Sequence, residues 1–486
     1  MVYVTAMTDK IRQSTPQAIS NGATSSQQLR RYAHRALTLL SEDPSCFLSD
    51  IIARVIEEHQ LDSRNSRLFS HIVYGVTRHR RRLSAILRSQ LKQPDRTLPP
   101  HIELLLLSGI YQLVMLDRIP PYAILNDTVE LTKKLPGGQK YAGFVNGVLR
   151  AVSRQPENAY AYNNLRQKLS AQDAQSPFDA IWSSVDNSFY RHVKNDYPTH
   201  VKEILSSLNQ PTHIHLRTNT TQITPGKLRE HLASLHIETI PGEYSPSCLR
   251  SVTNSRTPLL TSDLYANGAF RIQDESSQLI APMLLSALLH ANEPLDTQLR
   301  ILDLCAGRGG KATHIAELTA DTPNTTLYCY DIAQSKLDEL SLAIDRLKLE
   351  QPKKLTDPKQ EAPYDAILID APCTGTGVLR RHPESKWTWS EKNLAQLVLK
   401  QQKLLERGYH LLKPGGILIY AVCSMLKQEG ADQIEYLTKR YSDCHVIQPT
   451  LPKSLTQHHS TRQYLSILPH EYDMDGFFAA LVRKVG

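Results

Sequence analysis

Two cysteines stand in matching local contexts. In "LIDAPCTGTGVLRRHPESKW" (368–387) and "GILIYAVCSMLKQEG" (416–430), an apolar β-branched run ends and a cysteine follows almost at once, Cys373 in one and Cys423 in the other. The chain has only seven cysteines in 486 residues. One thiol in such a place is ordinary packing. Two in the same context ask for nucleophilic chemistry, in which one sulfur bonds to a substrate and the second helps to break that bond.

A third stretch, "ILDLCAGRGGKATH" (301–314), joins a strand to a helix through a glycine-rich turn. Glycines there let a backbone approach a ligand closely at the positive end of the helix. Gly307, Gly309 and Ala312 satisfy the pattern G-x-G-x-x-A, and Asp331 ends the next strand, "YCYDI", where an acid accepts hydrogen bonds from ribose hydroxyls. These features fit NAD and S-adenosyl-L-methionine equally. A phosphate loop of the Walker type is excluded, because Lys311 is followed by Ala312 and no glycine stands five residues before Gly310.

The two cysteines separate the candidates. Ligands of a doubly wound sheet bind beyond the carboxyl ends of its strands. If the strands ending at Asp370 and Cys423 are neighbours, both sulfurs and Asp370 face the cofactor pocket. Hydride transfer has no use for two thiols there; cytosine methylation has. Carbon 5 of cytosine attacks a methyl sulfonium only after a thiolate adds at carbon 6. A carboxyl group near ring nitrogen 3 and the exocyclic amine stabilises the charge that develops.

These residues need a scaffold. "RILDLCA", "GGKATHIAEL", "TTLYCYDI", "SKLDELSLAIDRL", "YDAILIDAP" and "GGILIYAVCS" alternate near-continuous apolar strands with helices, so residues 270–486 are expected to form a Rossmann-like, mostly parallel, doubly wound α/β domain. Upstream, "THIHLRTNT", "TPGKLREHLASL" and "HIETI" read as strand, Thr-capped helix and strand, a small α+β subdomain over 186–269. Residues 156–185 are polar and read as a linker. From 27 to 155 the periodicity is helical, with Ile102, Leu105, Leu106, Ile110 and Leu113 on one stripe after "LPP". "YAILNDTVELTKKL" stops at "PGG", and "YAGFVNGVLRAVSR" is a further helix. Residues 1–26 are Ser/Thr/Gln/Asn-rich and read as a disordered tail.

Charge is unevenly placed. Residues 1–160 hold 16 Arg and 5 Lys against 13 acidic residues, which accounts for the whole net charge of +8. The densest point, "VTRHRRRLSAILR" (76–88), reads either as a solvated helix face or as a phosphate-binding one, and the asymmetry favours an RNA or DNA partner. The most apolar segment, "HIELLLLSGIYQLVMLDR", carries Glu103, Gln112 and Asp117 and is too short to span a bilayer. The N-terminus lacks the pattern of a signal peptide. An odd cysteine count without C-x-x-C argues against disulfides and zinc. The expectation is a cytoplasmic monomer without metal or membrane attachment.

With "LDLCAGRGGKATH", "DAPCTGTGVLRRHP", "VCS" and "DGFFAALVRK" in this order, and "FRIQDESSQL" (270–279) before them, the chain resembles the bacterial 16S rRNA (cytosine-5)-methyltransferase family of the RsmB (Sun/Fmu) type. "YGVTRHRRRL" and "FVNGVLRAVSR" are similar to a NusB-like RNA-binding domain. The resemblance implies S-adenosyl-L-methionine-dependent methylation of 16S rRNA at cytosine 967. It makes Cys423 the nucleophile and Cys373 the cysteine that releases product. It places the cofactor against Cys305, Ala306, Gly307, Arg308, Gly309, Gly310 and Lys311, with Asp331 on the ribose and Asp370 at the pocket. Lys311 would also reach toward the target base, and Asp357, in the short segment "EQPKKLTDPKQEAP", would be a further cofactor acid.

Two positions depart from the family pattern: Gly307-Arg308 stands where Ala-Pro is common, and Val422 where a threonine is usual. The alternatives are a related rRNA or tRNA cytosine-5 methyltransferase with another target, and a non-catalytic RNA-binding protein. Methyl transfer separates the last from the others.

Overall fold

The computed structural model describes residues 25–43, 46–170, 176–252, 256–289, 298–322, 324–455 and 463–486. The expected tail lies outside them but for its last two residues, where Ser25 makes a capping box with Gln28 and starts the helix Ser26–Glu42. The chain divides into two units. The first holds residues up to Val76 together with Gln90–Ala159, and the second holds Thr77–Ser89 and Tyr160–Gly486.

The first unit is helical, and Pro100 and Pro121 open the helices Pro100–Met115 and Pro121–Lys134 at a position where a missing N–H costs nothing. In Pro100–Met115 the expected single stripe is corrected: every residue from Leu104 to Gln112 is buried, because neighbours cover this central helix on all sides. The "PGG" stop holds, with Gly137 at φ +65°.

Two segments differ from their sequence reading. The stretch 156–185 is not a plain linker: it carries the helices Tyr162–Ser170 and Phe178–Trp182, and Tyr160, Leu165, Leu169, Ala180 and Ile181 are buried. A handful of apolar residues in a polar background is enough to seat short helices against a larger body. The arginine run also changes place. Residues 77–89 belong to the second unit, where Arg82 lies 3.4 Å over the Trp182 ring and donates to Tyr160 O. Arg81 donates to Val185 O and Asn187 Oδ1, Arg78 to Arg380 O, and Arg80 stacks on Trp387. These half-buried guanidiniums are committed to the protein itself.

The second unit has two sheets. The small antiparallel one is built from β1 (Ile214–Thr218), β2 (Thr239–Pro241), β3 (Cys248–Ser251) and β4 (Phe270–Ile272), in the order β2-β3-β1-β4. The large one comprises β5 (Leu299–Asp303), β6 (Thr325–Cys329), β7 (Lys353–Lys354), β8 (Tyr364–Asp370), β9 (Leu412–Val422), β10 (Cys444–Ile447), β11 (Leu465–Ile467) and β12 (Phe477–Lys484). Its order is β10-β12-β9-β8-β5-β6-β7, with β11 beside β12. Strands β5 to β9 pair in parallel, and β10, β11 and β12 add antiparallel pairings at one end.

Alternate residues of each central strand enter different cores. Ile301, Ala366, Leu368, Ile417 and Ile419 join one apolar cluster, while Leu302, Ile367, Ile369, Leu418 and Tyr420 join another. Both faces are covered, which is why these strands read as unbroken apolar runs. The chain reverses its direction of winding between β5 and β8, and the site lies at the carboxyl ends of these strands. Among the described residues no helix is long and apolar enough to cross a membrane.

Candidate active site

The glycine turn follows β5. Gly307 at φ +52° and Gly309 at φ +79° occupy the left-handed region that side chains disfavour, and a Cβ at Gly309 would stand 2.9 Å from Leu340. Asp331, just beyond β6, accepts from Gly307 N at 3.0 Å with one carboxylate oxygen and from Ala333 N at 2.9 Å with the other. The acid expected to meet a ribose is thereby also a brace for the loop. Ala306 N donates to Tyr330 O, and burial pushes the Cys305 thiol up.

Lys311 ends the turn before the helix Ala312–Leu318. Its ammonium lies 2.6 Å from Asp370 Oδ2 and 5.2 Å from the Phe477 ring. It thus joins the glycine turn to the end of β8. Between them, at the end of β5, Asp303 is buried; burial first, then the Asp370 charge, raise its carboxyl to about 7 against the pull of Lys311.

The cysteine loops leave neighbouring parallel strands. Asp370 pairs with Ala421 in the β8–β9 register, so both chains leave the sheet at one edge. Ala371 N donates to Ala421 O and Gly377 N to Cys423 O, at 2.9 and 3.0 Å. A Cβ at Gly377 would meet Gly476 O at 1.9 Å, so only glycine lets "CTGTG" and "DGFF" pass this closely. The outcome is a thiol pair: Cys373 Sγ and Cys423 Sγ are 3.3 Å apart. The hydrogen bond to Cys423, then burial and the charge of Glu429, push the Cys373 thiol well above its ordinary value. All seven cysteines are free.

With this geometry in view, comparisons with known proteins fix the family. A sequence model described as 16S rRNA methyltransferase RsmB/F matches residues 289–483, one described as NusB family matches 27–154, and one described as the RsmF/B-like ferredoxin-like domain matches 187–255. The Ribosomal RNA small subunit methyltransferase B of Salmonella typhi is 30% identical over 463 residues, covering 94% of this chain and 99% of the relative. The chain belongs to the RsmB/F family of 16S rRNA methyltransferases. It is a methyltransferase. The Yersinia enterocolitica protein of the same name is 29% identical over 435 residues, 88% of this chain and 92% of its own length. Among solved structures, PH0851 shares the fold over 97% of this chain and 100% of its own, with a TM-score of 0.73 at 18% identity. "NSun6 from Pyrococcus horikoshii with SFG" covers 62% of this chain and 98% of its own, with a TM-score of 0.53 at 18% identity.

In this RsmB/F chain the fold brings together Cys373 with Cys423, Lys311 with Asp370, and Gly307 with Asp331. Asp357 is the exception. Its Oδ1 caps its own short turn by accepting from Lys359 N and pairs with Arg407 at 3.3 Å. Val422 is fully buried in an apolar cluster, where a threonine hydroxyl would need a partner. Arg308 pairs with Glu339 at 3.0 Å, which offsets the extra charge on the loop.

Three residues of the site escape sequence reasoning. Arg217 of β1 is fully buried; it grips Glu317 with two nitrogens at 2.6 and 3.0 Å and donates to Gly310 O and Thr313 Oγ1 at 2.9 Å. Glu429 gathers donors from both cysteine loops, Thr374 N and Ser424 Oγ among them. Asp303 carried a weak signal, a carboxylate closing an apolar strand just before the glycine turn.

Proposed function

We propose that this chain transfers a methyl group from S-adenosyl-L-methionine to carbon 5 of cytosine 967 in 16S rRNA, through a covalent bond between Cys423 and carbon 6 of the base. The observation that carries this reading is the 3.3 Å thiol pair at the ends of neighbouring strands, beside Asp370. The helices of 27–155 bind the rRNA, and the enzyme works as a cytoplasmic monomer.

The glycine turn suits the cofactor. A Cβ at Gly310 would meet nothing within 4 Å, and one at Gly307 would come no nearer than 3.9 Å to Cys305 O, so the backbone is open to a ligand. Residues Cys305 to Lys311 would hold the cofactor, with Asp331 at the ribose and Asp370 near the positive sulfonium. Asp357 would be a further acid for the cofactor: Arg407 and Lys359 N both bond to its Oδ1, which leaves Oδ2 for a ligand. The SFG in the Pyrococcus horikoshii NSun6 structure, an S-adenosylmethionine analogue, supports the choice of cofactor. When bound, this cofactor supplies an electrophilic methyl group.

The chain's own residues supply the rest. The family resemblance makes Cys423 the sulfur that adds to carbon 6, with Cys373 3.3 Å away to assist its release. Lys311 supplies the positive charge that stabilises the negative charge developing on the ring, and Asp370, 2.6 Å from its ammonium, holds it in place and accepts from the exocyclic amine. Carbon 5, now nucleophilic, takes the methyl group. Its proton then leaves to solvent, the C6–S bond breaks, and the departing Cys423 thiolate shares the proton of Cys373.

Bisulfite mapping of 16S rRNA tests the target: cells lacking the protein are expected to lose 5-methylcytosine at position 967 and to regain it with wild type but not with Cys423→Ala. In vitro, Cys373→Ala is expected to accumulate a cofactor-dependent RNA-linked band on a denaturing gel, absent from the double variant. A band in Cys423→Ala instead would reverse the two roles.

A further inference from the structure

Glu429 is fully buried, and no ion pair reaches it among the described residues. It closes the short turn Lys427–Glu429, six residues after Cys423. Its Oε1 accepts from Thr374 N at 2.8 Å and Gln401 Nε2 at 3.0 Å. Its Oε2 accepts from Ser424 Oγ at 2.6 Å and from Thr374 Oγ1. Thr374 directly follows Cys373, and Ser424 directly follows Cys423. Gln401 also donates to Pro372 O, the residue before Cys373, at 2.9 Å. A lone buried carboxylate thus gathers the backbone on both sides of one sulfur and the residue next to the other. A second link, Thr376 Oγ1 to Ser424 Oγ at 2.9 Å, runs parallel to it.

The chemistry explains why an acid sits here. A carboxylate is acceptor-only, with room for four bonds, and all four of its neighbours can donate. Thr374 N and Gln401 Nε2 can do nothing else. Four donors satisfy the buried charge without a cation.

We infer that Glu429 is a positioning residue: it fixes the Cys373–Cys423 spacing on which release of the methylated base depends. The consequence for release rests on the covalent reading above; the spacing does not. The two are separated by phenylarsine oxide, an arsenical that loses its oxygen as water while bridging two closely held thiols. The wild-type protein is expected to bind one equivalent at this pair, and Cys373→Ala to lose that binding. Glu429→Ala is expected to lose it as well. Its kcat is expected to fall roughly 10–100-fold, the scale of a misplaced reacting group, with KM for RNA unchanged and the RNA-linked band accumulating. Glu429→Gln can keep four contacts if the two hydroxyls reverse, and is expected to restore arsenical binding and most of kcat. Should Glu429→Ala fail to fold, Thr374→Val removes one tether alone and is expected to shift kcat and band the same way, by less. Wild-type arsenical stoichiometry and kcat in folded Glu429→Ala, or in Thr374→Val if Glu429→Ala does not fold, would overturn the inference. If arsenical binding is lost in Glu429→Ala but Cys373→Ala makes no RNA adduct, the spacing role stands and the covalent reading falls.

Discussion

The glycine turn after β5 and the two cysteine loops after β8 and β9 leave the same sheet edge, yet each is held by a buried ion of opposite sign and different origin. Arg217 reaches the turn from the small antiparallel sheet and is matched by the acid Glu317. Glu429 reaches the cysteine loops from the same domain and is matched only by neutral donors. A guanidinium can hold a carbonyl, a hydroxyl and a carboxylate at once in one plane, which suits a clamp between domains. A carboxylate surrounded by N–H and O–H groups suits the inside of a thiol site, because neutral donors satisfy its charge without an ion pair. The cofactor half therefore leans on a neighbouring domain, and the thiol half is self-contained.

The largest expected effect follows from this. Arg217→Ala leaves Glu317 buried without its partner, a change that costs about 3–5 kcal/mol; burial already pushes the Glu317 carboxyl up, against the pull of Arg217. Denaturant unfolding checks the stability loss, and calorimetry is expected to show weakened cofactor binding. Arsenical binding at Cys373 and Cys423 is expected to survive in the folded fraction. Its loss would mean that the halves are not independent.

Asp303 offers a smaller break, read through pH. Its carboxyl is raised to about 7 by burial, then by Asp370, against Lys311. The folded protein keeps this proton up to pH about 7, whereas the unfolded chain gives it up near pH 4. Raising pH through that interval therefore favours unfolding, by up to about 4 kcal/mol for a shift of this size. Asp303→Asn keeps an acceptor for Cys305 N and removes the titration. Its unfolding free energy is expected to be flatter than wild type between pH 4 and 7 and higher above pH 7. Parallel profiles would mean that the carboxyl ionises at its ordinary value.

How much of this the sequence discloses depends on how local the cause is. Cys373 and Cys423 are legible because a strand end fixes where the next residues emerge, and parallel pairing of β8 with β9 does the rest. Gly307 and Gly309 are legible because a positive φ is a local demand. Arg217 and Glu317 lie 100 residues apart and Thr374 and Glu429 lie 55 apart, and no local pattern ties them. The run Arg80 to Arg82 misleads for the same reason. Its charges are plain, but its partners Trp387, Asn187 and Trp182 come from distant segments. The partner of Asp357 is hidden in the same way, since Arg407 arrives from a helix 50 residues on.

The smallest expected effect sharpens the contrast within the cofactor half itself, because two arginines touch the same turn. Arg217 is fully buried, while the side chain of Arg308 is 60% exposed and pairs with Glu339, itself 49% exposed. Solvent screens such a pair and ordering two long side chains offsets most of its attraction, so it contributes about 0–1 kcal/mol. The turn also uses Arg308 through its backbone, whose carbonyl accepts from Arg271 Nη2 at 2.8 Å and persists in any substitution that keeps the peptide. Arg308→Ala is therefore expected to change unfolding free energy by no more than about 1 kcal/mol, and to leave cofactor affinity within a few-fold of wild type. Added salt is expected to erase what difference remains. If instead Arg308→Ala strengthened cofactor binding tenfold or more, its charge would act on the sulfonium directly rather than being spent on Glu339, and the departure from the family's Ala-Pro would be a handicap of this loop rather than a neutral replacement.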